Sequence, residues 1–146
     1  MPNDDTEQER LDIAHHVKFP SERVIGNDLS AIQPSWVPPN LEFVIDDLEK
    51  PWMYEPDYFD FIHARTIAEC VQNWPQLMQR AFKHLKPDGY FEVVELTAWV
   101  WSDDGTLKDD SPYMQYIRWV NGASGKSGRK LNIASECEAV DDRCGI

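Results

Sequence analysis

Residues 22–52, ERVIGNDLSAIQPSWVPPNLEFVIDDLEKPW, constrain the fold more than any other part of this chain. They hold two short runs of β-branched and apolar residues, Val24-Ile25 and Leu41-Glu42-Phe43-Val44-Ile45. Each run stops at acid: Asp28 after the first, Asp46 and Asp47 after the second. Strand, acid, loop, strand, acid is the order expected of an open parallel sheet, where ligands bind just beyond the carboxyl ends of the strands. A carboxylate there is placed to accept hydrogen bonds from a ribose or an exocyclic amine, so the pair points to a nucleoside-containing ligand. Acids also end strands simply because they suit solvated turns. Spacing alone leaves both readings open.

The rest of the composition narrows the class. A chain of 146 residues suffices for one domain, which would bury about two thirds of its unfolded surface. Hydrophobic residues at 42%, with six Trp, supply a core and exclude wholesale disorder. A formal net charge of −12 argues against a binder of nucleic acid, which needs clustered Lys and Arg to displace counterions. The same charge would not repel a cationic ligand. Cys70, Cys137 and Cys144 lie far apart with no CxxC, so neither zinc nor a disulfide framework is indicated. The N-terminus MPNDDTEQER is no secretory signal, and nowhere do about 18 apolar residues run together as a membrane span needs. A soluble intracellular protein of cytoplasm or nucleus is expected, without membrane or nucleic-acid partners.

Taken in order, residues 9–17 fit a short amphipathic helix. Its adjacent His15 and His16 point about 100° apart and do not share a metal ion readily. Three prolines and a Trp make Pro34 to Asn40 a stiff loop. Tyr58 to Ile62 reads as a buried strand ending at His63-Ala64-Arg65, and Thr66 to Gln72 starts or leads into a helix. Asn73-Trp74-Pro75 is a helix start, with Asn as cap and Pro in the first turn. Leu77, Ala81, Phe82 and Leu85 then recur on one face. Pro87-Asp88-Gly89 stops that helix, and Tyr90 to Leu96 is the next strand. Ala98 to Trp101 either prolongs it or forms a wall. Asp109-Asp110-Ser111-Pro112 opens a helix over Tyr113 to Val120, and Gly122, Gly125 and Gly128 read as a loop or frayed helix end. They lack the earlier Gly of a phosphate loop.

The wording of several of these segments carries a resemblance. Val24-Ile25-Gly26-Asn27-Asp28-Leu29-Ser30, the run Ile32-Gln33-Pro34-Ser35-Trp36-Val37-Pro38-Pro39-Asn40, and Ile45-Asp46-Asp47 closely resemble the fungal S-adenosylmethionine-dependent methyltransferases related to the velvet-complex regulators of secondary metabolism. The likeness continues through Phe59 to Arg65, Asn73-Trp74-Pro75 and Ala81 to Tyr90, and covers roughly residues 7 to 135. It implies an α/β fold, a Rossmann-like class I methyltransferase sheet. It also implies that Asp28 accepts the ribose hydroxyls of S-adenosylmethionine and Asp47 the adenine amine, with Leu48 alongside. The end of the third strand would face the transferred methyl group, making His63 and Arg65 candidates for substrate contact. A histidine bonded to a neighbouring loop and an arginine capping a carboxylate are the ordinary alternatives.

One departure from the resembled pattern matters. In that class a first strand leads into a Gly-rich turn whose backbone N–H groups meet the amino-acid part of the cofactor. Here Val17 is followed by Lys18-Phe19-Pro20-Ser21-Glu22, which resembles the end of the helix after that turn, and the only Gly before position 89 is Gly26. The sheet is therefore expected to be partial, lacking its first strand, in a methyltransferase-like domain over 18–135 between an N-terminal tail and helix (1–17) and a divergent tail (136–146). Two functions stand: a methyltransferase of fungal secondary metabolism acting on a small-molecule or protein acceptor, or a non-catalytic relative. The second would serve as a binding or regulatory protein partner, or be a truncated gene product.

Overall fold

A computed structural model describes residues 20–30 and 37–133. The helix expected over 9–17 with its two histidines, most of the IQPSWVPPN run, and the tail 136–146 lie outside the described residues. The elements are β1 (Val24–Asp28), β2 (Leu41–Ile45), β3 (Phe59–Arg65), α1 (Trp74–His84), β4 (Leu85–Val94) and α2 (Pro112–Ser127), with a single 3-10 turn at Ala68–Cys70 ahead of α1. The chain divides into two compact units, Met1–Lys50 and Pro51–Ile146. Among the described residues the four strands form two separate parallel pairs, and no strand precedes β1.

In the first unit β1 pairs with β2 from Val24 against Leu41 to Asp28 against Ile45. The entry to the pair is clamped from both sides. The Val24 N–H donates to the Asn40 carbonyl at 2.8 Å and the Asn40 side-chain amide donates to the Glu22 carbonyl at 3.0 Å. The Leu41 N–H bonds the Pro38 carbonyl at 3.0 Å, and Pro38 is fully buried, so the last prolines of the stiff loop start β2.

In the second unit β3 and β4 are parallel. Phe59 lies against Leu85 but Phe61 lies against Tyr90, so β4 spends three more residues than β3 between the same two rungs. The extra residues make a bulge through Lys86-Pro87-Asp88-Gly89, where Asp88 takes a left-handed φ of 66°. A Cβ on Gly89 would stand 2.9 Å from the Lys86 carbonyl oxygen and 3.1 Å from that of Asp60, both backbone. The helix therefore ends at His84, two residues before the expected stop, because the chain must turn into the bulge. The Lys86 ammonium bonds both Asp60 carboxylate oxygens at 2.8 Å across it.

Helix α1 begins as its sequence predicts: the Asn73 side chain accepts the Gln76 N–H at 3.1 Å, with Pro in the first turn. Its buried face carries Trp74, Leu77, Met78, Ala81 and His84. Phe82 is 58% exposed and does not belong to that face, which runs 74, 77, 78, 81, 84 and leaves position 82 at its rim. His84 is 2% exposed; its Nδ1 lies 3.0 Å from the Glu55 carbonyl oxygen, and Trp52 stacks on its ring at 5.5 Å. Since a carbonyl only accepts, that nitrogen carries the proton.

Helix α2 is longer than expected. Ser111 caps it through the Met114 N–H at 3.3 Å, and it continues through Gly122 and Gly125 to a left-handed cap at Gly128, φ 79°. Residues 98–101 are not strand. The Ala98 N–H donates to Asn132 Oδ1 at 2.7 Å and its carbonyl accepts from Asn121 Nδ2 at 2.9 Å, so two side-chain amides take the place of a ladder. In the turn beyond, the Ser102 hydroxyl, with the Thr106 N–H and hydroxyl, holds the Asp104 carboxyl down at about 2. No helix among the described residues is long and apolar enough to cross a membrane.

A β-branched residue adopts the left-handed backbone found at position 88 only at greater cost than Asp. Asp88→Val is expected to lose about 1–2 kcal/mol relative to Asp88→Gly in urea unfolding. Equal midpoints for the two variants would contradict the bulge.

Candidate functional site

Parallel pairing brings the ends of β1 and β2 side by side, and the first candidate site is built there. Past the last rung the Asp46 N–H donates to the Asp28 carbonyl at 3.0 Å, which extends the ladder by one bond and holds the two acid turns together. The Asp28 carboxylate accepts the Ser30 N–H at 2.8 Å, and the Asp47 carboxylate accepts the Glu49 N–H at 2.9 Å. These are local turns in which the side chain mimics a backbone carbonyl. Asp46 turns its own carboxylate onto the Asp47 N–H at 2.8 Å, and the Lys50 N–H closes on the Asp47 carbonyl at 2.8 Å. Asp28, Asp47 and Leu48 are all half-buried. Each carboxylate is thus oriented by its Oδ1.

Such a donor-poor, acceptor-rich edge fits the hydroxyls of a ribose and the amine of an adenine, which have hydrogens to give. Gly26 contributes by having no side chain: it stands opposite Phe43, and a Cβ there would meet the ring carbons at 2.6 and 2.7 Å. The Phe43 ring lies over the gap in the pleat that the glycine leaves.

The second candidate region is in the other unit, on β3 and β4. His63 lies directly across from Glu92, and its Nδ1 is 2.7 Å from Glu92 Oε2. His63 therefore bonds the neighbouring strand and not a loop. Among the described residues Arg65 makes no ion pair or hydrogen bond, so it caps no carboxylate there. After Arg65 the chain turns sharply: Thr66 has a φ of 55°, an outlier for a β-branched residue. Its N–H still bonds the Val94 carbonyl at 2.9 Å, and the Glu95 carboxylate takes the Ile67 N–H at 2.7 Å. Sequence reasoning missed Glu92 and Glu95. Glu92 was visible only as the middle of the Tyr90 to Leu96 run, and its pairing with His63 depends on a three-residue bulge that periodicity does not report. Among the described residues no group of three His, Cys, Asp or Glu is placed to hold a metal ion.

A methyltransferase domain profile matches residues 11–131. Methyltransferase pytC of Aspergillus terreus is 35% identical over 184 aligned positions, taking in 100% of this chain and 56% of its own length. Since 184 positions exceed the 146 residues of the chain, pytC has internal residues without counterpart here. The excess is on the order of one βαβ unit of 30 or more residues. The secondary metabolism regulator LAE1 of Cochliobolus heterostrophus is 37% identical over 116 positions, 78% of this chain and 38% of its own. The chain thus spans about half, or less, of the length of these relatives. Among solved structures, phosphoethanolamine N-methyltransferase 2 of Haemonchus contortus, in complex with phosphomonomethylethanolamine and S-adenosylhomocysteine, matches with a TM-score of 0.57 at 16% identity. That match covers 90% of this chain and 29% of the other, and shows a shared class I methyltransferase fold.

Gly26→Ala must push the Phe43 ring off its rung, and overpacking of this kind costs typically about 1–3 kcal/mol. Pairing it with Phe43→Leu should recover most of the loss in chemical unfolding. A double variant as unstable as the sum of the two singles would contradict the contact.

Proposed function

The chain belongs to the methyltransferase domain family, and from that premise we propose that Asp28 and Asp47 hold the adenosine part of S-adenosylmethionine. It is an S-adenosylmethionine-dependent methyltransferase-like protein related to the methyltransferases and regulators of fungal secondary metabolism. In this reading Asp28 accepts from the ribose hydroxyls and Asp47, beside Leu48, from the adenine amine. The cofactor supplies an electrophilic methyl group on a sulfonium. The acceptor, a small molecule or a protein, meets the His63 and Arg65 end of β3.

The observation that carries this reading is the pair of half-buried carboxylates at adjacent ends of parallel strands, each oriented by a backbone N–H of its own turn. Oriented acceptors lose little freedom when a ligand arrives. The negative charge of the chain also suits a sulfonium cation.

A second reading is favoured by one sequence feature, the missing Gly-rich turn. Without it the methionine half of the cofactor has no backbone cradle, and misplacement by about 1 Å can cost some 10²-fold in rate. On that reading the chain is a non-catalytic relative that binds the cofactor or a regulatory protein partner. The name of LAE1, a regulator, lends it weight.

S-adenosylhomocysteine should raise the melting temperature of the purified chain, because a ligand held only by the folded state adds stability; at 100-fold over Kd the gain is about 2.7 kcal/mol. Asp28→Ala and Asp47→Ala should each abolish the shift while leaving a cooperative melt. A cooperative transition in the parent chain that ignores the ligand would sink the cofactor-site reading and leave the regulatory one.

A further inference from the structure

Helix α2 turns one face inward and leaves the other without a partner among the described residues. Met114, Ile117, Asn121 and Ser124 recur at spacings of three and four and are buried or half-buried, so they form the inner stripe. The opposite stripe, at the same spacings, is Tyr116, Trp119, Ala123 and Lys126, all exposed. Tyr116 is 57% exposed and Trp119 72%. Large aromatic rings of this kind are the side chains that anchor protein interfaces once they give up water.

Two further properties of the outer stripe narrow what can cover it. It is graded in size, with rings in its first half and Gly122 and Ala123 in its second. A Cβ on Gly122 would meet nothing within 4 Å, so no described neighbour requires a glycine there. Gly is a poor helix former, and where it persists it commonly admits the close approach of another group. The stripe is also graded in charge: exposed Asp109 and Asp110 precede the helix, and exposed Lys126 lies in its last turn. Arg118 engages the Asp109 carboxylate at 3.4 Å, whereas the Asp110 carboxylate and the Lys126 ammonium have no partner among the described residues.

A surface graded in both senses is complementary to itself turned end for end. We propose that the outer face of α2 docks on the same face of a second copy of this chain, the two helices running antiparallel about a two-fold axis beside Trp119. Trp119 then meets the partner's Trp119, and Tyr116 lies over the partner's Gly122. The partner's Lys126 comes level with Pro112, within reach of Asp110. Each contact away from the axis occurs twice, as two-fold symmetry requires. A helix of 16 residues is about 24 Å long, so the shared face is small and the pair dissociates on dilution. Two chains of net charge −12 repel each other at long range. Salt at about 0.15 M screens that repulsion beyond about 8 Å and leaves the packing of the rings in place.

Sedimentation equilibrium of the full chain at that salt, from about 1 μM to about 1 mM, tests the pairing. The mass should rise from that of one chain to that of two and stop there, because an isologous contact closes on itself. Trp119→Glu sets two like charges against each other at the axis and should weaken the pair at least about 100-fold. Asp110→Lys and Lys126→Asp should each weaken it about tenfold, since each turns two attractive pairs repulsive. Mixed together, these two variants should pair with nearly the parent's affinity, because each supplies what the other lacks. All three positions are exposed, so each variant should keep the parent's thermal melt. A mass that stays at one chain or climbs past two, a dimer indifferent to Trp119→Glu, or a mixture that pairs no more tightly than either charge variant alone would overturn the proposal.

Discussion

Both candidate regions depend on one constraint, the parallel pairing of short strands. A parallel pair cannot be closed by a tight turn, so each pairing here demands a crossover, and the crossover delivers both strand ends to the same side. In the first unit that puts the Asp46 N–H on the Asp28 carbonyl and sets two acid turns against each other. In the second it sets His63 against Glu92 and Arg65 against Val94. An antiparallel pairing of the same segments would send these residues to opposite ends.

The crossovers are made from unlike material. Between β1 and β2 the connection includes Pro34, Pro38 and Pro39 and ends where buried Pro38 accepts the Leu41 N–H. Between β3 and β4 it is α1, packed through Trp74, Leu77, Met78 and Ala81, with His84 buried under Trp52 at its end. The second crossover needs a correction of register, supplied by the bulge at Lys86 to Gly89 with Asp88 left-handed and Gly89 wedged between backbone carbonyls. At position 88 the backbone is left-handed, and Asp is one of the few residues that tolerate it.

Much of this was legible from residue order. The runs that end at Asp28, at Asp46-Asp47 and at His63-Ala64-Arg65 are the three strands that carry the named site residues, and Asn73 and Ser111 cap the two helices, as their positions before Pro suggest. Asp28 and Asp47 could be named because acids at strand ends are a local feature. Glu92 could not, because which residue of β4 faces His63 is decided by the three-residue bulge, and no local pattern counts it. Phe82 falls off the buried face because a helical stripe taken from spacing has soft rims, and Gly122 and Gly125 admit either a loop or a frayed helix end because Gly weakens a helix without forbidding it.

The central claim is that the strand-end acids form an adenosine half-site that outlasts the loss of the Gly-rich turn. Calorimetric binding of adenosine and of S-adenosylhomocysteine to the same chain tests it most directly. The account predicts dissociation constants within about tenfold of each other, a difference under about 1.4 kcal/mol, because the homocysteine half finds no cradle. S-adenosylhomocysteine binding about 100-fold or more tighter than adenosine would contradict it, and would mean that other residues have taken over the role of the missing turn.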